Sequence, residues 1–257
     1  MDRTGAVRVP GPDGLVLSGR LEHANPDSPI QPPAAAVFAH CFTCGKHSRA
    51  AARISRSLAA RGFTVLRYDM PGIGESDGDF ADSRFASRID SVVAAASFVG
   101  DQVAPVRLLV GHSLGGATVL AAAGRLDAVR GVATIAAPFD PGHVTGLLAP
   151  ARAELASAGE AEVTIAGRVF RVRQDVVDEL ADQPQRDRIS ALRRALIVLH
   201  SPTDTVVGIE HAAEIFSAAR HPKSFVSLPG ADHLLTNPED AEYAADVIAA
   251  WATRYLA

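Results

Sequence analysis

The chain has little of what marks several classes of protein. Its two cysteines among 257 residues cannot build the disulfide framework of a small secreted domain. The net charge is −4 and there is no run of basic residues, which argues against nucleic acid or an anionic membrane surface as the main partner. The N-terminal segment MDRTGAVRVPGPDG has no apolar stretch long enough for a signal peptide. These absences predict a cytoplasmic protein.

A long uninterrupted apolar run is also missing. The most apolar stretch, residues 106–124, contains Arg107, His112 and four glycines. Because the glycines bring turn chemistry to its centre, the stretch is typical of a strand, a turn and a helix rather than a membrane span. We therefore expect no membrane partner.

Short apolar runs do alternate with helix-like stretches. Six runs are nearly continuous, as expected of strands buried on both faces: AAAVFAH, GFTVLRYD, VRLLVGH, GVATIAA, ALIVLHS and KSFVSLPG. Helices are expected at 46–61, 84–99, 114–125, 207–219 and 238–256. Alternation in AVRVP and LVLSGRLEH adds an antiparallel pair at the start. The pattern predicts a single α/β domain over residues 1–257, with an eight-stranded, mostly parallel sheet flanked by helices.

One interval is longer than a connection between neighbouring strands needs. Residues 142–194 separate GVATIAAPFD from ALIVLHS. They contain an expected helix (143–158), a hairpin signal with alternation on both sides of Ala166-Gly167, and a further helical stretch (174–193). We predict that this interval is an inserted lid.

The segment GHSLGG (111–116) follows a predicted strand and opens a predicted helix. It matches G-x-S-x-G in the strand–turn–helix setting that this motif requires. Strained backbone at such a turn pushes the hydroxyl of Ser113 out of the sheet, while Gly111 and Gly115 let neighbouring segments approach closely. The alternative is a glycine-rich helix start with no chemical role.

A serine hydroxyl needs a general base to become a nucleophile at neutral pH. His233 in LPGADHLL follows the last predicted strand, so it is expected at the same sheet edge as Ser113. His40 and His200 end buried strands, where histidines more often satisfy backbone or turn hydrogen bonds. Candidates for the wall of a pocket are Cys44, His47, His112 and Phe139.

The base in turn needs a carboxylate that holds its tautomer. Asp204 in LIVLHSPTDTVV lies just past a buried strand, at the same edge. Asp140 is a rival because it follows the preceding strand. Asp232 adjoins His233 but should point elsewhere, and Asp69 is expected to tie down its own loop.

Both cysteines lie in FAHCFTCGKHS (38–48), two residues apart. A thioredoxin-like pair opens a helix in a different fold, and a structural zinc site needs about four ligands where the chain has no second cysteine pair. We therefore expect no metal and no cofactor. A thiol enzyme that uses Cys44 stays open as an alternative, and a Cys44 near the pocket would affect activity when oxidised or alkylated.

Together these motifs resemble those of the α/β-hydrolase superfamily. HCF stands at its oxyanion-loop position, DMPGIGES is similar to its D-x-x-G-x-G-x-S loop, and GHSLGG, HSPTD and GADH complete the set. The resemblance implies an α/β-hydrolase fold with Ser113, Asp204 and His233 as nucleophile, acid and base, in the family's chain order. It also implies an oxyanion hole made by the backbone N–H groups of Phe42 and Leu114.

A narrower resemblance is visible in HCFTCGK, ATIAAPFDPGHV and ARHPKSFVSLPGADHLL. These segments look like the hydrolase half of bacterial proteins that join such a domain to an OsmC-type peroxide-reducing domain. The chain stops after its last expected helix, where that second domain would begin. It is therefore either a free-standing relative or one part of a longer protein.

The resemblance implies a serine hydrolase that cleaves small to medium carboxylic esters through an acyl-enzyme intermediate. A thioesterase or amidase would use the same three residues. An alternative from another class is a non-catalytic, ligand-binding hydrolase-fold partner of an OsmC-type protein. Whether the chain forms a homo-oligomer is left open.

Overall fold

The computed structural model describes residues 4–28, 30 and 34–256. Eight strands form the main sheet: β1 (Thr4–Pro10), β2 (Val16–Glu22), β3 (Ala34–Ala39), β4 (Phe63–Tyr68), β5 (Val106–His112), β6 (Gly131–Ile135), β9 (Ala195–His200) and β10 (Lys223–Ser227). Their spatial order is β1-β2-β4-β3-β5-β6-β9-β10. Four helices lie between successive strands, namely α1 (Arg49–Ala60), α2 (Phe85–Gln102), α3 (Leu114–Ala122) and α7 (Ile209–Ala218), and α8 (Pro238–Ala252) follows β10.

The sheet is parallel except at one edge. β1 pairs antiparallel with β2 and β2 with β4, whereas all the other neighbours run parallel. Every residue of β3, β4, β6 and β9 is buried, as the continuous apolar runs predict for strands covered on both faces. The predicted α/β fold with an eight-stranded, mostly parallel sheet is confirmed.

The two faces of the sheet have separate cores, because successive side chains of a strand point to opposite faces. On one face, Leu109 and Val198 pack with the buried residues of α2 and α3. On the other, Val110 and Ile197 pack with those of α1 and α8. Among the described residues, no helix combines the length and the apolar character that a membrane crossing requires.

The predicted insertion, residues 142–194, contains its own small elements. A 3-10 helix (Pro141–Ala151) leads into α4 (Arg152–Ala158), then into the hairpin of β7 (Glu160–Ile165) and β8 (Arg168–Arg173), and finally into α5 (Gln174–Ala181) and α6 (Gln185–Ser190). Ala166 and Gly167 form the hairpin turn, with φ angles of +50° and +77°, as a two-residue turn of this kind requires.

The two helices expected in this insertion are each broken, which corrects the sequence prediction. The first is a 3-10 helix over most of its length, with Pro150 inside it. The second stops at Ala181 and restarts at Gln185, after Pro184. Proline lacks the N–H that a continuous α-helix needs and disfavours helical backbone in the residue before it.

Candidate active site

Ser113 lies at a sharp turn between β5 and α3. Its backbone has φ +55° and ψ −128°, a strained conformation for a residue with a side chain. Two backbone hydrogen bonds hold the turn: the Ser113 N–H donates to Ile135 O (2.9 Å) and the Gly116 N–H donates to Ser113 O (2.8 Å). The side chain therefore sits at a fixed point at the carboxyl edge of the sheet.

Two glycines permit this turn. A Cβ on Gly111 would lie 2.3 Å from the carbonyl oxygen of Gly115. A Cβ on Gly115 would lie 2.2 Å from Ala39 O and 2.5 Å from His40 O. Because all of these are backbone atoms, no rotamer change relieves the clash. Glycine is required at position 111 by the close approach of β5 to the start of α3, and at position 115 by the close approach of α3 to the end of β3.

His233 and Asp204 approach Ser113 from two other loops at the same edge. His233 follows β10, and its Nε2 lies 3.0 Å from Ser113 Oγ. Its Nδ1 lies 2.8 Å from Asp204 Oδ2, in the loop after β9. The structure thus brings together the three residues that the sequence selects, with their side chains largely buried.

Asp204 is held by its own loop. Its Oδ1 accepts hydrogen bonds from the N–H groups of Val206 (2.8 Å) and Val207 (3.0 Å). Burial raises the pKa of Asp204, but the hydrogen bonds from His233 and from these two N–H groups outweigh it, so the pKa lies below its ordinary value. The carboxylate is therefore ionised at neutral pH, while its two oxygens face different partners.

Buried histidines surround this group. His112 Nε2 lies 2.7 Å from the backbone oxygen of His233, and burial, followed by the neighbouring His233, lowers the pKa of His112 to about 4. His200 Nε2 lies 2.8 Å from Val207 O, and burial lowers its pKa as well. Since a carbonyl only accepts, each Nε2 carries the proton. Both rings are neutral donors that support the loops of His233 and Asp204.

A cavity of about 460 Å³ opens beside Ser113 and His233. Among the described residues that line it there is no Asp, Glu, Lys or Arg. The lining comes from the loop after β3 (Cys41, Phe42, Thr43, Cys44), from the insertion (His143, Val144, Gly146, Leu147, Ile165, Ala166) and from the loops of Asp204 and His233 (Val206, Val207, Leu234). The insertion therefore forms much of the wall of a mostly apolar cavity.

Only one of the four residues selected as pocket candidates lines this cavity, and that residue is Cys44. His47 is exposed just before α1. His112 turns away to the backbone of His233. Phe139 is half-buried under the guanidinium of Arg186, 4.8 Å from its ring centroid. The prediction that His47, His112 and Phe139 line the pocket is therefore wrong, because each side chain is directed to another partner or to the surface.

The loop after β3 is fixed more firmly than its sequence suggests. Cys41 and Cys44 form a disulfide, with their Cα atoms 5.3 Å apart. Between them, Phe42 is buried, and its carbonyl oxygen accepts a hydrogen bond from Arg88 Nη2 (3.2 Å). Leu114, the first residue of α3, is also buried. The assignment of the Phe42 and Leu114 N–H groups to an oxyanion stays a prediction.

Arg88 is not among the residues that the sequence selects, although its position in the sequence is unusual for a charged residue. It lies on the stripe of α2 that carries the buried residues Phe85, Ile89 and Val92, where a charged residue is unexpected. Its guanidinium stacks 5.2 Å from the Phe42 ring centroid, and burial lowers its pKa to about 10. It remains a cation beside the oxyanion loop.

The rival carboxylates serve their own loops. Asp140 accepts from the N–H of Gly142 (2.8 Å), and Asp232 accepts from the N–H of Thr236 (2.9 Å). Asp69 binds the N–H and the Nζ of Lys46, each at 2.6 Å. The structure does not bring any of the three to His233 Nδ1, whose carboxylate partner is Asp204.

Comparison with known proteins agrees with this geometry. Residues 36–247 match the model of a family described as "Alpha/beta hydrolase family". The esterase domain of a Rhodothermus marinus protein is 43% identical, with 99% of each chain covered and a TM-score of 0.79. Est1E from Butyrivibrio proteoclasticus, solved with ferulic acid bound, has a TM-score of 0.77 at 20% identity over 98% of this chain and 99% of its own, which shows a shared fold.

A curated relative is more distant. "Uncharacterized protein YfhR" of Escherichia coli (strain K12) is 25% identical over 178 residues. The match covers 69% of this chain and 55% of that protein, so it spans only about half the relative's length.

Proposed function

This chain belongs to the alpha/beta hydrolase family, and we propose that it is a serine hydrolase that cleaves small to medium carboxylic esters through an acyl-enzyme intermediate. The observation that carries the proposal is the continuous hydrogen-bond chain from Ser113 Oγ through His233 to Asp204, beside a mostly apolar cavity. Serine, base and carboxylate in this order are what nucleophilic acyl transfer needs.

The hydrogen bonds assign the protons. Asp204 is ionised and can only accept, so His233 carries its proton on Nδ1. His233 Nε2 is then bare and accepts from the Ser113 hydroxyl, 3.0 Å away. In the proposed reaction Ser113 Oγ attacks the ester carbonyl while Nε2 takes its proton. The same proton then passes to the departing alcohol.

The negative oxygen formed by this attack needs hydrogen-bond donors. We assign them to the backbone N–H groups of Phe42, in the loop after β3, and of Leu114, the residue that follows Ser113. Each such donor is typically worth about 3 kcal/mol of transition-state stabilisation. A water molecule then attacks the acyl-enzyme while His233 Nε2 takes its proton. The bond between the acyl carbon and Ser113 Oγ breaks, the acid leaves, and His233 returns the proton to Ser113 Oγ.

The cavity supports an uncharged substrate of modest size. Its described lining contains no Asp, Glu, Lys or Arg that would pair with a charged acyl group, and a volume of about 460 Å³ lies within the range of small-molecule sites. The 43% identical relative is itself described as an esterase domain, which favours esters over amides as the substrate class.

A fluorophosphonate probe tests the nucleophile. We expect the probe to label the protein, and Ser113→Ala to abolish labelling and to lower ester hydrolysis by at least about 10⁴-fold. Cys44→Ser should still be labelled, which separates this proposal from a thiol enzyme. Folded protein that stays unlabelled would instead support a ligand-binding protein without catalysis.

A series of p-nitrophenyl esters of increasing chain length tests the substrate class. We expect the highest kcat/KM with short to medium acyl groups, because the cavity is bounded by the insertion. A preference for long chains, or faster turnover of the matched thioesters, would overturn the choice. The relation to an OsmC-type domain, the cytoplasmic location and any homo-oligomer remain predictions from the sequence.

A further inference from the structure

Two histidines outside the triad link the insertion to the loop of Asp204. The N–H of Phe139, just after β6, donates to His211 Nδ1 (3.2 Å). His211 Nε2, in α7, lies 3.2 Å from His143 Nδ1, in the insertion. His143 Nε2 lies 2.7 Å from the carbonyl oxygen of Val206. The N–H of the same Val206 binds Asp204 Oδ1.

The two ends of this chain of hydrogen bonds, the Phe139 N–H and the Val206 carbonyl oxygen, fix the tautomers of both histidines. A backbone N–H only donates, so His211 Nδ1 is bare and its proton is on Nε2. That N–H donates to His143 Nδ1, which must therefore also be bare. The proton of His143 is then on Nε2 and donates to Val206 O, which only accepts. Two neutral rings thus satisfy all three hydrogen bonds.

A third proton finds no acceptor in this chain of hydrogen bonds. If His143 gains it on Nδ1, that N–H meets the N–H of His211. If His211 shifts its own proton to Nδ1 in response, that N–H meets the N–H of Phe139. Either arrangement sets two donors against each other and breaks a hydrogen bond. His143 is exposed, so protons from solvent reach the chain.

The surroundings of His211 contain charges of both signs. Glu210 and Glu214 raise the pKa of His211, and Arg186 lies 3.5 Å from Glu214. Burial first, then His143 and His200, lower the pKa, and the lowering effects dominate. The ring of His211 is therefore neutral at neutral pH.

We propose that His143 and His211 are positioning residues for the reaction. They hold the Val206 carbonyl, and with it the turn whose N–H groups bind Asp204, only while both rings are neutral. The proposal rests on the proposed function, because it treats Asp204 as the acid of the triad. It assigns to the insertion a second task, that of setting the carboxylate that orients His233.

Three variants test this assignment through kcat for p-nitrophenyl acetate between pH 5 and 9. His143→Gln keeps an N–H donor for Val206 that does not titrate, whereas His143→Leu removes the donor. His47→Gln is the matched control, because His47 is exposed and lies outside this chain of hydrogen bonds. In the wild type we expect a steeper acid limb than in His143→Gln, because only the wild type has the histidine pair that an added proton disrupts.

The expected results differ among the variants. His143→Gln, which also changes a residue that lines the cavity, should lower kcat at pH 8 less than His143→Leu does, and its acid limb should be less steep than that of the wild type. His143→Leu should lower kcat at pH 8 by about tenfold with little change in KM, because a misplaced catalytic group costs rate rather than binding. The proposal is wrong if both His143 variants retain the wild-type profile, or if both lower kcat equally with unchanged steepness.

Imidazole nitrogen NMR tests the geometry without turnover. At pH 8 we expect protonated Nε2 and bare Nδ1 on both His143 and His211, with signals assigned through His143→Gln and His211→Gln. The opposite tautomer on either ring would overturn the inference even in an active esterase. A protein that shows these tautomers but hydrolyses no ester would overturn the proposed function instead.

Discussion

The two loops that flank Ser113 are held in place by different kinds of interaction. The proposed oxyanion loop, residues 40–48, contains the disulfide Cys41–Cys44. The carbonyl oxygen of its Phe42 accepts a hydrogen bond from buried Arg88, and its Lys46 pairs with Asp69. The acid loop, residues 201–208, has neither a disulfide nor a Lys or Arg ion pair among the described residues. Its carbonyls accept hydrogen bonds from the side chains of His200 and His143.

This difference predicts different sensitivities. A covalent bridge and an arginine change little between pH 5 and 9. The His143–His211 contact is different, because it offers no acceptor for an added proton. One side of the site should therefore respond to reductant and the other to acid. Perturbing each loop in turn measures how separate the two sides are.

The largest effect is expected from Asp204→Asn, in the acid loop. The amide oxygen can still accept from Val206 and Val207, so the loop should keep its fold. The amide N–H₂ then faces His233 Nδ1 and favours the tautomer whose Nε2 carries the proton and cannot accept from Ser113. We expect kcat/KM for p-nitrophenyl acetate to fall by about 10⁴-fold.

Asp140→Asn provides the matched control, since Asp140 only caps its own turn. Its kcat/KM should stay within about twofold of the wild type. Retention of more than a tenth of the activity in Asp204→Asn would contradict the role of this carboxylate.

The next largest effect is on stability and comes from Asp69→Asn, beneath the oxyanion loop. Lys46 and Asp69 are both almost fully buried, and removing one partner of a buried ion pair typically costs 3–5 kcal/mol. The lower end is expected here, because Lys46 Nζ keeps a second partner, the exposed Glu75, at 2.7 Å. We expect the free energy of unfolding in urea at pH 7 to fall by about 3 kcal/mol. Asp82→Asn, which breaks an exposed pair with Arg173, should lower it by less than about 1 kcal/mol.

Acid should remove this difference. Burial raises the pKa of Asp69, but hydrogen bonds from Lys46 and Glu75 outweigh it, so the folded-state pKa lies below the ordinary 3.8. The stabilisation is thus present in full at pH values well above 3.8 and is lost as the pH falls through the folded-state pKa. A gap between wild type and Asp69→Asn that widens below pH 4 would contradict this account.

The sequence predicts what depends on local pattern. Strand burial, the turn at Ser113 and the positions of Asp204 and His233 just after strands all follow from short segments read in order. The helices of the insertion were less predictable, because Pro150 and Pro184 interrupt an otherwise helical pattern.

Contacts between distant segments that no motif marks could not be predicted. His143 and His211 are separated by 68 residues, and nothing in either segment indicates the other. The C-x-x-C spacing fits a disulfide, a metal ligand pair or free thiols equally well, so the bond between Cys41 and Cys44 follows only from their placement in the loop. Arg88 gave a signal, a charge on a buried stripe, but its partner Phe42 O is visible only in three dimensions.

A smaller effect, on rate alone, is expected from Arg88→Met. Arg88 has no carboxylate within 4.0 Å among the described residues, so replacing this buried cation with a side chain of similar length should cost little stability. Losing its hydrogen bond frees the Phe42 peptide, and we expect kcat to drop about tenfold, below the 10²–10³ that loss of a whole oxyanion donor costs. Urea unfolding and kcat should be measured on the same variant. A fall in the free energy of unfolding with an unchanged kcat would contradict this role of Arg88.

The smallest effect is expected from reducing the disulfide. Without the bridge, Cys41 and Cys44 no longer confine Phe42, but the Arg88 hydrogen bond and the Lys46–Asp69 pair still hold the loop. We expect kcat to fall only roughly threefold, a small fraction of what an oxyanion donor supplies. The double variant Cys41→Ser, Cys44→Ser should show the same rate with and without reductant. Because the two loops are held separately, reductant should lower kcat of the wild type at every pH without changing the steepness of the acid limb. A changed steepness would mean that the disulfide also acts on the acid loop.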